Sequence, residues 1–169
     1  MNTHFPLSIR RNLLAYKFFR LRTRALNDAF RAMQTSSKIT LEVFPGIGQR
    51  ITPSLKLIGI QSIRVAEVVG TFKWETDFDH QFRPLQKRAL NRWVNAYLRH
   101  EQNGWDPILA HKIDGKYFIE DGHHRVSVAR FLGMEFIEAT VWEYSSEGAE
   151  VCQDWPCCER SSSKAYAVG

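Results

Sequence analysis

Apolar residues fall on three different periods along this chain, and each period predicts a different element. From residue 9 to residue 34 there is no Pro or Gly, and Leu14, Phe18, Leu21, Ala25 and Ala29 recur at helical spacing, with Phe19, Leu26, Phe30 and Met33 beside them. That stripe predicts one long helix. Thr35-Ser36-Ser37 ends it, and Pro45-Gly46-Ile47-Gly48 predicts a turn-rich joint. From Leu55 the pattern turns β-like: Leu55, Leu57 and Ile58-Gly59-Ile60 are apolar, and a second short stretch, Val65 to Val69, leads into Gly70-Thr71. A polar, acidic loop from Lys73 to Asp79 follows. Pro84 suits the first turn of a second helix, with Leu85, Ala89, Trp93 and Tyr97 on one stripe and Asn103-Gly104 as its stop.

The sharpest local signal lies further on. Pro107 to Ile113 reads as a strand, Asp114-Gly115 as a type I′ turn, and Lys116 to Glu120 as the returning strand. It runs into Asp121-Gly122-His123-His124-Arg125 and a short helix, Val126 to Leu132, closed by Gly133. Phe136 to Tyr144 reads as a last strand. The chain therefore divides into a helical leader (1–38), a linker (39–54), an α+β body with a small mixed sheet and helices (55–144) and a loose Ser-, Gly- and Glu-containing tail (145–169).

Charge sharpens this division. The 169 residues carry 23 Lys and Arg against 18 Asp and Glu, a net +5. Residues 1–38 hold eight of the basic groups and a single acid, Asp28, which is +7; the remainder is therefore −2. The body is near neutral and the leader is basic. Arg10, Arg11, Lys17, Arg20, Arg22 and Arg24 are the leader's candidates for contact with nucleic-acid phosphate or an anionic lipid surface; the plainer reading is a helix packed on the body with its arginines in water. No run of about 18 apolar residues is present to span a bilayer. Arginines interrupt any signal-peptide core, and the apolar pattern continues past the reach of a transit peptide. Three cysteines, Cys152, Cys157 and Cys158, crowd the tail, so a reducing cytoplasm is the expectation, with no zinc spacing among them.

Strand, Asp-Gly-His-His-Arg, then helix is where chemistry concentrates. Gly122 permits a sharp turn and a close approach by a ligand. The first turn of the helix presents unpaired N–H groups and the positive end of its dipole, an anion site by construction of the backbone. Arg125 adds a fork of donors, and His123 and His124 add titratable ones. The plain alternative is a tight turn with a satisfied histidine pair.

On these residues the stretch from about Leu57 to Tyr144 resembles the ParB/sulfiredoxin-like domain, in particular the ParB-like proteins often described as nucleases that carry Asp-Gly-His-His-Arg-Val-Ser-Val-Ala. The resemblance rests on the strand ending in Gly70-Thr71-Phe72-Lys73-Trp74, on Asp77-Phe78, on Pro107-Ile108 with its hairpin, and on Gly122-x-x-Arg125 at a helix start. It implies a small mixed sheet that binds phosphate at Gly122–Arg125. The ParB motif Gly-Glu-Arg-Arg-x-Arg is matched at Gly122 and Arg125, but His123, His124 and Ser127 replace the other three residues, which speaks against ParB's own CTP chemistry. In the sulfiredoxin motif Gly-Gly-Cys-His-Arg, His124 and Arg125 match while His123 stands for the cysteine, so sulfinic-acid reduction is not expected.

The resemblance to a ParB-like free-serine kinase implies phosphoryl transfer from a nucleoside triphosphate or diphosphate, with ATP and CTP both open. Such transfer needs cations on the phosphates, Mg2+ and a carboxylate. His123, His124, Asp121, Asp77 and Asp79 are the catalytic candidates, with Mg2+ through Asp77, Asp79 or Asp121; Gly122, His123, His124 and Arg125 are the binding candidates. Two other readings stay beside the NTP hydrolase or phosphotransferase: a DNA-associated module binding without sequence preference through the leader, and a nucleotide-gated sensor without turnover.

Overall fold

The computed structural model describes residues 6–35, 39–45, 51–73 and 75–151; for 51–54 and 145–151 only the backbone is described. Asp114 and Gly115 both have positive φ, 49° and 76°, the type I′ geometry that matches the twist of the flanking strands. They join β4 (Ile108–Ile113) to β5 (Lys116–Asp121). Around this hairpin a six-stranded mixed sheet forms in the order β1-β3-β5-β4-β6-β2, where β1 is Glu42–Val43, β2 is Ile51–Arg64, β3 is Val68–Thr71 and β6 is Phe136–Val151. The strands β1, β3 and β5 run parallel, β4 turns back against β5, and β6 is parallel to β4 and antiparallel to β2. This is the expected α+β class, a mixed sheet with helices and a helix ahead of it.

Alternate residues of the hairpin and of β6 (Ile108, Ala110, Tyr117, Ile119, Ile137, Ala139 and Val141) point to one face and pack under α3 (His123–Leu132) through Val126 and Ala129. A second core lies outside the first. There Val128 of α3 meets Trp93, Val94 and Tyr97 of α2 (Leu90–Asn103), which meet Leu14 and Phe18 of α1 (Leu7–Gln34). The layers are thus sheet, then α3 and α2, then α1. Trp93 and Ser127 fix the join, the indole Nε1 donating to the Ser127 hydroxyl at 3.1 Å in a buried site. Ser127→Ala orphans that buried donor and should destabilise the fold by about 2 kcal/mol, measured by urea unfolding; a change of a few tenths would remove the join from the account.

Three boundaries differ from expectation, each for a physical reason. Residues 39–54 are not a bare linker, because 42–43 form the sheet edge β1 and β2 already starts at Ile51. The second helix does not start at Pro84. Phe78 and Phe82 turn into the core, Phe78 bridges Pro84, and Leu85 N–H donates to the Asp77 carbonyl at 2.7 Å; this extended loop consumes the segment, and α2 begins at Leu90 after a 3-10 turn, Lys87–Ala89. Residues 145–151 of the expected tail continue β6, paired with β2 as far as Val151, and 152–169 lie outside the described residues. Cys152, Cys157 and Cys158 lie outside the described residues.

The leader is also differently occupied. Arg10 pairs with Glu101 of α2, Arg11 donates to Asn95 Oδ1 at 3.0 Å, Arg22 Nε donates to the Leu85 carbonyl at 2.8 Å, and Lys17 lies 5.5 Å over the Tyr97 ring. Four of the six cations singled out for nucleic acid therefore hold α1 to the body. Arg20 and Arg24 face outward.

Candidate anion-binding cavity

Parallel strands β3 and β5 end side by side, Thr71 beside Ile119, and α3 starts at the end of β5. Ligands of open sheets with parallel strands gather at such carboxyl ends. A cavity of about 790 Å³ opens here, within the usual range for small-molecule sites. Its walls come from three places: the turn Glu120–Arg125, the loop after β3 with Lys73 and Glu75, and one face of α2 carrying Arg92, Asn95, Ala96 and Arg99. Trp105, its indole donating to the Ala96 carbonyl at 2.7 Å, closes one side.

Gly122 has φ +111°, and a Cβ placed there would lie 2.4 Å from Ile108 Cγ2. The glycine is required by β4 packing as well as by the turn. The helix bond from Val126 N–H to the Gly122 carbonyl, 3.0 Å, is the first of α3, so the N–H groups of His123, His124 and Arg125 precede the helical ladder. They face the site where the dipole is positive.

Each histidine has a definite state. Thr71 Oγ1 donates its one proton to the Lys73 carbonyl at 2.5 Å, so at its 2.9 Å contact with His123 Nε2 the imidazole is the donor. That leaves His123 Nδ1 unprotonated. Burial holds the His123 pKa below its ordinary value, with the ring packed beside those of Phe78 and Phe82. His124 Nδ1 is buried without a hydrogen-bond partner among the described residues. A bare lone pair is the cheaper form of such an atom, so the proton sits on Nε2, the nitrogen left to donate to a ligand. Burial first, and the Arg92 charge second, push His124 down to about 4.

This depression has a sign that can be tested. Unfolded His124 takes up a proton near its ordinary 6.5 and folded His124 only near 4, so its share of stability is complete above pH 6.5 and is lost as pH falls towards 4. The loss should be about 3 kcal/mol. Between pH 7 and pH 4 the unfolding free energy of the wild type should fall by about that amount more than that of His124→Gln; parallel curves would place the imidazole in water.

The remaining predicted residues are distributed unequally. Arg125 is not a free fork: Nη1 donates to the carbonyls of Asp106 (2.6 Å) and Pro107 (3.2 Å), and Nη2 donates to Asp121 Oδ2 (2.5 Å), so it braces the start of β4 against the end of β5. Asp121 lines the cavity with its side chain 76% exposed, one oxygen on Arg125 and the other open. Asp77 does not line this cavity. Its Oδ1 accepts from Arg88 Nε at 2.7 Å, and it faces a neighbouring cleft shared with Glu75, Arg88 and Arg92. Asp79 is removed from the site altogether: 2% exposed, it accepts the N–H groups of Gln81 and Arg83 and the Arg83 guanidinium, serving as the latch of the 77–85 loop.

Arg92 is the residue the sequence reading missed. Lys73 is paired with Glu120 (3.1 Å), Arg99 with Asp106 (3.6 Å) and Arg125 with Asp121, whereas Arg92 has no ion pair or hydrogen bond among the described residues. Arg92, Asn95 and Arg99 stand at i, i+3 and i+7, one helix face, which is the signal that could have found them. Glu120 stands one residue before the end of β5. It faces the cavity, and although burial opposes its charge, hydrogen bonds from His111 (2.8 Å) and Lys73 hold its carboxyl below the ordinary value. His111 is itself lowered by burial, against the pull of Glu120. It is a neutral ring that donates Nε2–H to the carboxylate and receives the Tyr144 hydroxyl at Nδ1, 3.1 Å.

No family model matches the chain, and no curated protein matches it. Among solved structures, sulfiredoxin from Arabidopsis thaliana is similar to it over 48% of this chain and 82% of that chain, with 19% identity and a TM-score of 0.37. A likeness of that size assigns no residue a role.

Proposed function

We propose that the cavity binds a nucleoside diphosphate or triphosphate by its phosphates, and that the chain hydrolyses or transfers the terminal phosphoryl group. The observation that carries this reading is Arg92, a guanidinium beside the open first turn of α3 with no ion pair or hydrogen bond among the described residues. A charged group without a partner in a walled cavity, next to backbone donors and a neutral His124 Nε2–H, is complementary to a multiply charged oxyanion. Trp105 offers an apolar wall, and the volume exceeds what a lone phosphate needs.

The chain's own groups account for binding and proton handling. The α3 N–H groups and Arg92 neutralise the phosphates. Asp121, at the mouth of the site with one free oxygen, takes the proton of the attacking water or hydroxyl. The donor set does not fit a protein-held divalent ion: among the described residues no three His, Cys, Asp or Glu are placed to hold one metal ion, Asp79 is enclosed, and Asp77 and Asp121 are each held by an arginine. No step is routed through a metal; Mg2+ would arrive on the nucleotide's own phosphates.

A thermal-shift screen with ATP, ADP, CTP and GTP, each with and without magnesium, tests the binding. At 100 times Kd a ligand adds about 2.7 kcal/mol, a rise of several degrees. Phosphate release with a water or hydroxyl acceptor tests turnover, and Asp121→Asn should lower it at least tenfold while the thermal shift persists. If no nucleotide raises the melting temperature the reading fails.

A further inference from the structure

We propose that the outer face of α1 docks on an anionic lipid bilayer, lying along its surface. α1 buries Leu14 and Phe18 against α2, and Ala25 is buried on the same side, yet the helix carries a second apolar stripe on its far side. Tyr16, Phe19, Leu26, Phe30 and Met33 recur at three- and four-residue intervals, with Thr23 in step, about 125° around the helix from the buried stripe. Tyr16 is 59% exposed, Phe30 65% and Met33 77%. A surface helix normally shows water its polar side, and an apolar stripe from Tyr16 to Met33, about 26 Å long, signals a partner.

Charge decides which partner. Arg20, Arg24 and Arg31 run along one border of the outer stripe. Asp28 is the single carboxylate of α1, and it is held by Arg83 at 2.7 Å and by Arg31 at 3.7 Å. A second copy docked on this stripe would bring the cationic border against itself with no acid to meet it. Nucleic acid would satisfy the arginines and leave Phe30, Met33 and Leu26 in water. An anionic bilayer satisfies both at once, with acyl chains under the apolar stripe and headgroup phosphates beside the arginines. The division of labour on α1 fits: Arg10, Arg11, Lys17 and Arg22 face the body, Arg20, Arg24 and Arg31 face out. No helix among the described residues is long and apolar enough to cross a membrane, so the contact is peripheral.

Co-sedimentation of the full chain with vesicles tests this independently of the cavity. Vesicles of phosphatidylcholine mixed with phosphatidylglycerol should bind the chain about a hundredfold more tightly than phosphatidylcholine alone, with the difference collapsing in high salt. A Phe30→Ser, Met33→Ser double variant should lose about a hundredfold of that affinity while keeping its melting temperature, because both side chains are exposed. Arg20→Glu with Arg24→Glu should lose the preference for anionic vesicles. Three results would overturn the proposal: equal binding of wild type and both variants, retention on duplex DNA with none on vesicles, or a dimer that the Phe30→Ser, Met33→Ser variant dissolves.

Discussion

Gly122→Ala will lower the folding stability by about 4 kcal/mol. Two costs combine. At φ +111° an L side chain is strained whatever the space around it, and here the new Cβ would sit 2.4 Å from Ile108 Cγ2 and 2.8 Å from Ile108 Cβ. Ile108 is buried at the start of β4, paired with Ala139 of β6, and cannot withdraw without moving the strand. The same substitution rotates the first N–H groups of α3 away from the cavity, so nucleotide binding should fall with stability. Urea unfolding reads the first effect. A loss below about 1 kcal/mol would show that the turn relaxes freely and that its geometry is not imposed by β4.

Arg92→Glu will reduce affinity for a nucleoside triphosphate by about a thousandfold and leave the fold intact. The side chain is exposed and engages no protein partner among the described residues, so its removal breaks nothing internal. Reversing its charge sets a carboxylate against phosphate where a guanidinium stood. Arg92→Lys should retain part of the binding, as a point charge without the planar fork. Arg125→Ala is the less informative variant despite lying in the motif. It releases the carbonyls of Asp106 and Pro107 and the Asp121 carboxylate, so lost binding would be mixed with a displaced β4.

The contrast between these two arginines shows what the sequence could and could not carry. Strand, type I′ turn, strand, glycine and short helix were legible because each is fixed by local backbone chemistry: paired positive φ at Asp114-Gly115, a left-handed cap at Gly133, and alternation across β4 and β5. The α3 N-terminus followed from them. The partner of Arg125 did not, because whether a guanidinium meets a ligand or a carbonyl 18 residues away depends on tertiary placement. Arg92 was hidden for the converse reason. On α2 the stripe that includes Trp93 and Tyr97 reads as core, and the polar face opposite reads as solvent, yet it is this face that α3 and the loop after β3 enclose. The Phe78–Phe82 loop defeated the helix reading at Pro84 because a proline after a buried turn and a proline at a helix start look alike in one dimension.

The net charge has a corresponding explanation. Half of the leader's cations are structural, fastened to α2 and to the loop ahead of it, and their charge is not available to a partner. Arg20, Arg24 and Arg31 form a border on α1, spatially separate from the cavity. The two anion-facing features are independent and can be lost one at a time: Arg92 variants should leave vesicle binding untouched, and Phe30→Ser with Met33→Ser should leave nucleotide binding untouched.

Calorimetric titration of ATP into wild type and Arg92→Ala, at pH 7 and low salt with magnesium present, bears most directly on the cavity. Saturable one-site binding to the wild type, weakened at least tenfold in Arg92→Ala with an unchanged melting temperature of the free protein, is the expected result. Equal affinities in the two proteins would contradict it, as would no heat from either.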